Sequence, residues 1–425
     1  MQAIASAFFF FGLFWFLASS QVLGQDVEIR IDDPNDQKIN LGLIEWTPRR
    51  AQDPPLPIEI GKILAADLEF SGRAKIVEAL AWGPSTRELF LSKEIYAFVQ
   101  GEYIYDGQQA RVKSILRDTE TGDTILVRNY EADKRRLRQL AHAFADDIVQ
   151  QLFGEKGVAQ TKIVYITRQG NHKQVALIDY DGANVQLVTQ GSYMHLFPCW
   201  LRDNQSLMYT SYKGNRPQLY TYNISNRSEQ LFIESKFLNT GCHFNPIDGE
   251  ITYTSSVKGN TEIFRVHESG SQNERLTFSR GLESDASWSP QGYEIVFTSN
   301  RSGAPQLYIM DRDGSNIRRL TYEGGYNASP SWSPRGDKIA FCSMNERRQM
   351  DIFTISPNGT QLRRLTQSSG SNESPSFSPD GRSLVFVSDR AGRKTLYRMR
   401  EDGSKQEVLL PKGENVSPEW SHFSP

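Results

Sequence analysis

The sequence predicts a six-bladed β-propeller preceded by a smaller α/β domain. Three observations predict it. Aromatic residues recur at the period of a propeller blade, each unit repeats one order of strands and turns, and an incomplete blade stands at either end of the repeat.

The recurring aromatics are Trp200, Phe244, Trp288, Trp332, Phe377 and Trp420, spaced 44, 44, 44, 45 and 43 residues apart. A period of about 40–45 residues carrying short strands is that of a blade of four antiparallel strands. Within a unit, an inner strand ends at the aromatic. A turn such as Ser333-Pro334-Arg335-Gly336 or Ser378-Pro379-Asp380-Gly381 follows. Pro presets φ in such a turn and Gly accepts positive φ. A second strand alternates, as in Ile295–Ser299, Ile339–Ser343 and Leu384–Ser388. After a polar loop comes a third strand, such as Gln306–Met310, and then an Asp313-Gly314, Asn358-Gly359 or Asp402-Gly403 hairpin turn into a short fourth strand. Asp311-x-Asp313-Gly314 also invites a calcium-loop reading, but the further oxygen ligands and the late Glu that such a loop needs are missing.

The ends fix the blade count. The first unit starts at Lys162-Ile163-Val164-Tyr165 and has no inner strand, whereas Val416–Trp420 is an inner strand with nothing after it. The two halves complete each other, which closes a ring of six and removes exposed strand edges.

Four segments are expected: a signal peptide at 1–24, an N-terminal partner-binding segment at 25–36, the α/β domain at 37–158 and the propeller at 159–425. The first 24 residues carry no charged side chain, and Ala3 to Ala18 is an apolar run of signal-peptide length followed by Ala18, Ser19, Ser20 and Gly24. Cleavage is expected after Gly24, with Ser20 as second choice and an uncleaved anchor as the alternative; with no second long apolar segment in the sequence, no direct membrane insertion of the mature chain is expected. Residues 37–158 read as strands at 38–46, 74–80, 97–105, 110–118 and 124–131. Helices are expected over 57–71, from 86 and over 137–153.

A formal net charge of −2 gives no global field toward nucleic acid or anionic lipid. There is no Gly-x-Ser-x-Gly elbow, His-Glu-x-x-His, Cys-x-x-Cys or phosphate-binding Gly loop, so no catalytic residue and no cofactor are expected. His195 and His243 fall near the propeller axis, but only Glu373 and Glu283 offer carboxylates at a matching phase, and no metal is expected. Of Cys199, Cys242 and Cys342, a Cys199–Cys242 disulfide is open, with buried thiols as the alternative.

Two binding sites are expected instead. The loops between second and third strands hold Lys213, Arg216, Lys258, Arg301, Arg347, Arg348, Arg390, Arg393 and Lys394, which predicts a locally positive face receiving an acidic or polar protein surface. At the N-terminus, Asp26, Val27, Glu28, Ile29, Arg30, Ile31 and Asp32 alternate polar and apolar, a strand that can add to a partner's sheet.

The repeat from Ser287 to Tyr308, Ser-Trp-Ser-Pro-x-Gly-x-x-Ile-x-Phe-x-Ser-x-Arg-x-Gly-x-x-x-Leu-Tyr, resembles that of the TolB family. The stretch Ile60–Gly72 resembles the first helix of that family's N-terminal domain, and His142 to Gly157, with Asp146, Asp147 and Gly154, its last helix. The resemblance implies a monomeric, periplasmic, non-enzymatic component of the Tol–Pal system. It implies that residues 26–39 contact a TolA-like inner-membrane protein. It also implies that a Pal-like lipoprotein docks over the channel mouth, lined by the residues four before each aromatic: Leu196, Thr240, Ser284, Ala328, Glu373 and Val416. The chain departs from the family's third-blade Ser-Pro-Asp-Gly, with Asn245-Pro246-Ile247-Asp248-Gly249 there. The competing reading is a secreted propeller module associated with a peptidase or with glycan binding. It would need a hydrolase domain, or an aromatic and a carboxylate repeated on one face.

Overall fold

A computed structural model describes residues 38–423 apart from 80, 215 and 257–258. The expected signal peptide, the strand at Asp26–Asp32 and Lys258 lie outside the described residues.

Six four-stranded antiparallel sheets form the repeat. Their inner strands are His195–Trp200, Asn239–Phe244, Glu283–Trp288, Asn327–Trp332, Asn372–Phe377 and Asn415–Trp420. The last of these pairs with Lys162–Gln169, Val416 opposite Ile166 and Trp420 opposite Ile163. It completes the sheet whose outer strands are His172–Asp179 and Gln186–Leu187. That sheet is blade 1, and the five from His195 onward are blades 2 to 6.

The anchor aromatics are all buried, and they sit between blades. Trp332 packs with Val296 and Leu307 of blade 4 as well as with Ile339 and Phe341 of its own blade. The second strands were expected to alternate, yet Glu250–Ser255 and Ser383–Ser388 are buried along their whole length. Each blade is sandwiched between two others, so its middle strands have no solvent face. The Asp-Gly turns are hairpins: Gly314 sits at φ +84, and a Cβ there would lie 2.5 Å from Leu276 O of the preceding blade. Only Gly permits both the left-handed backbone and that approach.

The α/β domain has the sheet order Ala74–Ala79, Ile39–Ile44, Ile95–Tyr105, Gln109–Asp118, Thr124–Asp133. Ile39–Ile44 runs parallel to both its neighbours, the short strand Thr47–Pro48 also pairs parallel with Ile95–Tyr105, and the remaining pairs are antiparallel. Helices Ile60–Phe70 and Leu137–Phe153 bury Leu64, Leu68, Leu140, Phe144 and Ile148 in one core with the sheet. The core continues into blade 1 through Tyr165, Tyr180 and Trp420. Polar contacts reinforce that junction. Tyr180 donates its hydroxyl to Asp67, whose other oxygen lies 2.7 Å from His142 Nδ1. Glu155 accepts from Arg73 at 2.6 Å and from Arg382 of blade 6 at 2.7 Å. Arg398 stacks 4.2 Å over the Phe70 ring. No helix among the described residues is long and apolar enough to cross a membrane.

Candidate partner-docking site at the axial channel

The six inner strands converge on the axis, and each carries a register shift against its second strand. The residue three before each aromatic takes positive φ: Phe197 at 48, Gly241 at 59, Asp285 and Ser329 at 52, and Ser374 and Ser417 at 51. Five of these six are not glycine, and each costs on the order of 1 kcal/mol of backbone strain. Pro198, Pro330, Pro375 and Pro418 follow four of them, and a proline disfavours right-handed helical backbone at the residue before it.

This bulge decides which side chains the channel shows. A cavity of about 140 Å³ lies on the axis, lined by Phe197, His243, Asp285, Ser329, Ser374, Ser417 and Glu419 among others. It is lined by the residues three before the aromatics, not by the ring four before them. Of that ring, Thr240 shares a hydrogen bond with Thr210 at 3.0 Å, and Glu373 accepts from Lys394 at 2.7 Å. Ala328 is buried, and Val416 packs against the cores of blades 1 and 2. Leu196 and Ser284 pair with Thr210 and Thr298 of their own second strands. No sequence signal marked the bulge except the recurring x-Pro step.

One residue before each aromatic, a second ring ties the blades together. Ser287, Ser331 and Ser376 each accept the N–H of the next blade's aromatic, Trp332 at 3.1 Å, Phe377 at 3.3 Å and Trp420 at 3.0 Å. Glu419 accepts from Trp200 N at 3.4 Å, and its backbone oxygen takes the Trp200 indole N–H at 3.2 Å. Cys199 departs from the pattern by forming a disulfide with Cys242 of blade 3, Cα atoms 5.9 Å apart. Cys342 is a buried free thiol that its surroundings push up to about 12. The sixth position is His243, whose Nδ1 has no partner among the described residues. Desolvation in the channel wall pushes the Glu419 carboxyl up to about 8 and the His243 imidazole down to about 4. Both groups are therefore uncharged at neutral pH. His195, drawn down to about 4 by burial, is likewise neutral. Among the described residues no group of three or more His, Cys, Asp or Glu is placed to hold a metal ion.

The loop cations expected to form a positive face divide into those tied back to their own blades and those left exposed. Arg301 pairs with the buried Glu283 at 2.8 Å, and Arg390 donates to Ser388, Gln406 and Asn372 of its own blade. Lys213 pairs with Glu229, and Lys394 with Glu373. Arg216, Arg347, Arg348 and Arg393 remain exposed, without an ion pair among the described residues. The partners lie far along the chain, Glu283 being 18 residues from Arg301, which a count of loop charges misses. What the loops before the inner strands do present is apolar: Tyr193, Phe237, Leu282 and Tyr326 are 43, 45, 53 and 36% exposed on blades 2 to 5. On blades 6 and 1 the residues just before the inner strand are Ser371 and Glu414. The axial cavity is thus rich in serine, and an apolar crescent of Tyr193, Phe237, Leu282 and Tyr326 is exposed on the loops of blades 2 to 5.

Residues 149–424 match the family profile described as the TolB beta propeller domain. The chain belongs to the TolB family. It is 32% identical over 174 residues to the Tol-Pal system protein TolB of Gluconobacter oxydans, covering 37% of this chain and 38% of that one. Against the TolB of Syntrophotalea carbinolica it is 34% identical over 192 residues, covering 42% and 44%. The matches therefore span less than half the length of these relatives. The crystal structure of TolB from Acinetobacter baumannii superposes with a TM-score of 0.76 at 27% identity, covering 92% of this chain and 98% of that one. That match reaches beyond the propeller into the α/β domain and supports the six-bladed architecture.

Proposed function

We propose that the protein is a periplasmic scaffold of the Tol–Pal system. In this reading the N-terminal segment around Asp26–Asp32 engages a TolA-like inner-membrane protein and the axial mouth receives a Pal-like lipoprotein of the outer membrane. Holding both partners links the two membranes, which serves outer-membrane integrity and invagination during division. The supporting observations are the axial cavity, ringed by five strained non-glycine residues, and the exposed apolar residues Tyr193, Phe237, Leu282 and Tyr326 in the loops that lead into four of the inner strands. Strained backbone and clustered exposed apolar side chains concentrate where a protein binds another surface. The reading assigns the protein no chemistry of its own.

Pull-downs from envelope extracts test it with three forms: the mature chain, the chain lacking residues 25–35, and Phe197→Asp/Leu282→Asp. The mature chain should recover a peptidoglycan-bound lipoprotein and an inner-membrane protein. The deletion should lose only the inner-membrane partner, and the double variant only the lipoprotein. Recovery of neither by the mature chain overturns the reading.

A further inference from the structure

The repeat supplies an internal control for a crevice at the joint of blades 4 and 5. In blades 4 and 6 an arginine two residues after the serine of the second strand folds back over its own blade. Arg301 lies over Phe297 and Tyr308, 5.4 and 5.0 Å from the ring centroids, and donates to Ser299 Oγ at 2.9 Å and Glu283 at 2.8 Å. Arg390 repeats this over Phe386 and Tyr397 at 5.5 and 4.6 Å, donating to Ser388 Oγ and Asn372 Oδ1 at 2.8 Å each. Both use an aromatic pair, the serine, and the first residue of the inner strand.

Blade 5 keeps these receptors and lacks the arginine. Its rings are Phe341 and Phe353, 5.9 Å apart, its serine is Ser343 and its inner strand begins at Asn327. The arginine position is Asn345, whose side chain is held in its own turn by accepting from Arg347 N and Gln349 N at 2.9 and 3.0 Å. Asn327 spends its Nδ2 on Gln306 and on Glu323 O. Among the described residues nothing donates to Asn327 Oδ1 or Ser343 Oγ. Both oxygens lie beside Gly324, where the point a Cβ would occupy is 2.9 Å from Ser343 Oγ and 3.3 Å from Asn327 Oδ1. Around that point is a crevice of about 410 Å³, with the two rings as lining and Glu323 and Glu346 at its edge. Both glutamates are exposed, and neither has an ion pair among the described residues. Arg364, over Phe353 at 5.9 Å, is paired with Asp351.

We propose that this crevice is a docking slot for an arginine side chain of a partner protein, which occupies the position that Arg301 and Arg390 hold in their own blades. A guanidinium stacks on the rings and presents a planar fork of N–H groups to the two oxygens, which an ammonium cannot do. The glutamates supply the complementary charge. The inference is independent of the axial mouth and of the partners proposed there.

Titration of the ¹⁵N-labelled mature chain with acetyl-Gly-Arg-Gly-amide, its lysine counterpart and methylguanidinium tests the slot. The arginine peptide should shift the amides of Gly324, Asn327, Phe341 and Ser343 and bind at least about fivefold tighter than the lysine peptide. Asn345→Arg should plug the slot and weaken the peptide by at least about tenfold. Arg301→Asn should open a second slot, with new shifts at Phe297 and Ser299. Far-UV circular dichroism confirms folding, and if Asn345→Arg does not fold, Ser343→Ala should still weaken binding several-fold. Equal binding of the lysine peptide, undiminished binding by a folded Asn345→Arg, or entry of methylguanidinium with exclusion of the peptide would each overturn the proposal.

Discussion

Two joints of the ring are closed by opposite means. Blade 1 is assembled from segments roughly 250 residues apart in the chain and carries no covalent link. Its last strand is held by the ladder to Lys162–Gln169, by Trp420 donating to Thr161 Oγ1 at 2.8 Å, and by Ser421 bonded to both backbone groups of Lys162. Phe70 of the α/β domain stacks on Trp420 from outside, centroids 6.5 Å apart. The joint of blades 2 and 3 connects neighbours in sequence, yet it is cross-linked by Cys199–Cys242. The contrast teaches that sequence distance does not decide where a staple is needed. The closure of blade 1 has a large apolar interface and a second domain behind it. There Cys199 stands at the position where Ser287, Ser331 and Ser376 accept the next aromatic's N–H, and a covalent bond holds the axial strands instead.

Breaking the non-covalent joint should have the largest effect. A chain truncated after Glu414 should lose cooperative thermal unfolding, because it forfeits most of a stability that is about 5–15 kcal/mol in folded domains. Native-like melting of that chain, followed by calorimetry, would refute the closure. Trp420→Ala should cost about 3–5 kcal/mol in chemical denaturation, from a buried cavity and a lost indole bond. The covalent joint should matter less: Cys199→Ser/Cys242→Ser should cost about 2–4 kcal/mol, largely by freeing the unfolded chain, and should leave the ring closed. A further effect should appear only as pH is changed. Burial raises the Glu419 carboxyl to about 8 from its ordinary value of 4.5. The folded state therefore binds the proton more tightly than the unfolded chain, and the wild type should lose stability as pH rises from 4.5 to 8. Glu419→Gln should raise the melting temperature at pH 9 relative to wild type and leave it nearly unchanged at pH 5. An equal shift at both values would remove the buried carboxyl from the account.

The ring was legible in the sequence because the anchor aromatics must sit between blades at a fixed period, and because an unpaired Val416–Trp420 has one place to go. The α/β elements were legible within a few residues from periodicity and from Gly154, which ends its helix at φ +68. The site was less legible. A one-residue bulge moved the channel lining from Ser284, Ala328 and Glu373 to Asp285, Ser329 and Ser374. Composition carries no trace of such a shift, because it arises from pairing between strands. Loop arginines looked free because their partners, Glu283 and Asn372, belong to other strands of the same blade. The crescent of Tyr193, Phe237, Leu282 and Tyr326 lies one or two residues before the inner strands of blades 2 to 5, and a pattern of loop charges carries no sign of it.

The closure of blade 1 also sets a schedule. Lys162 accepts its final neighbour, Ser421, from 259 positions downstream. For a chain that emerges N-terminus first, this imposes a wait until those residues follow. Throughout it, the strand Lys162–Gln169 has an open edge, the feature that invites pairing with another chain. Folding helpers that act on this protein therefore have a defined target and a defined interval, which end together when the strand Asn415–Trp420 docks.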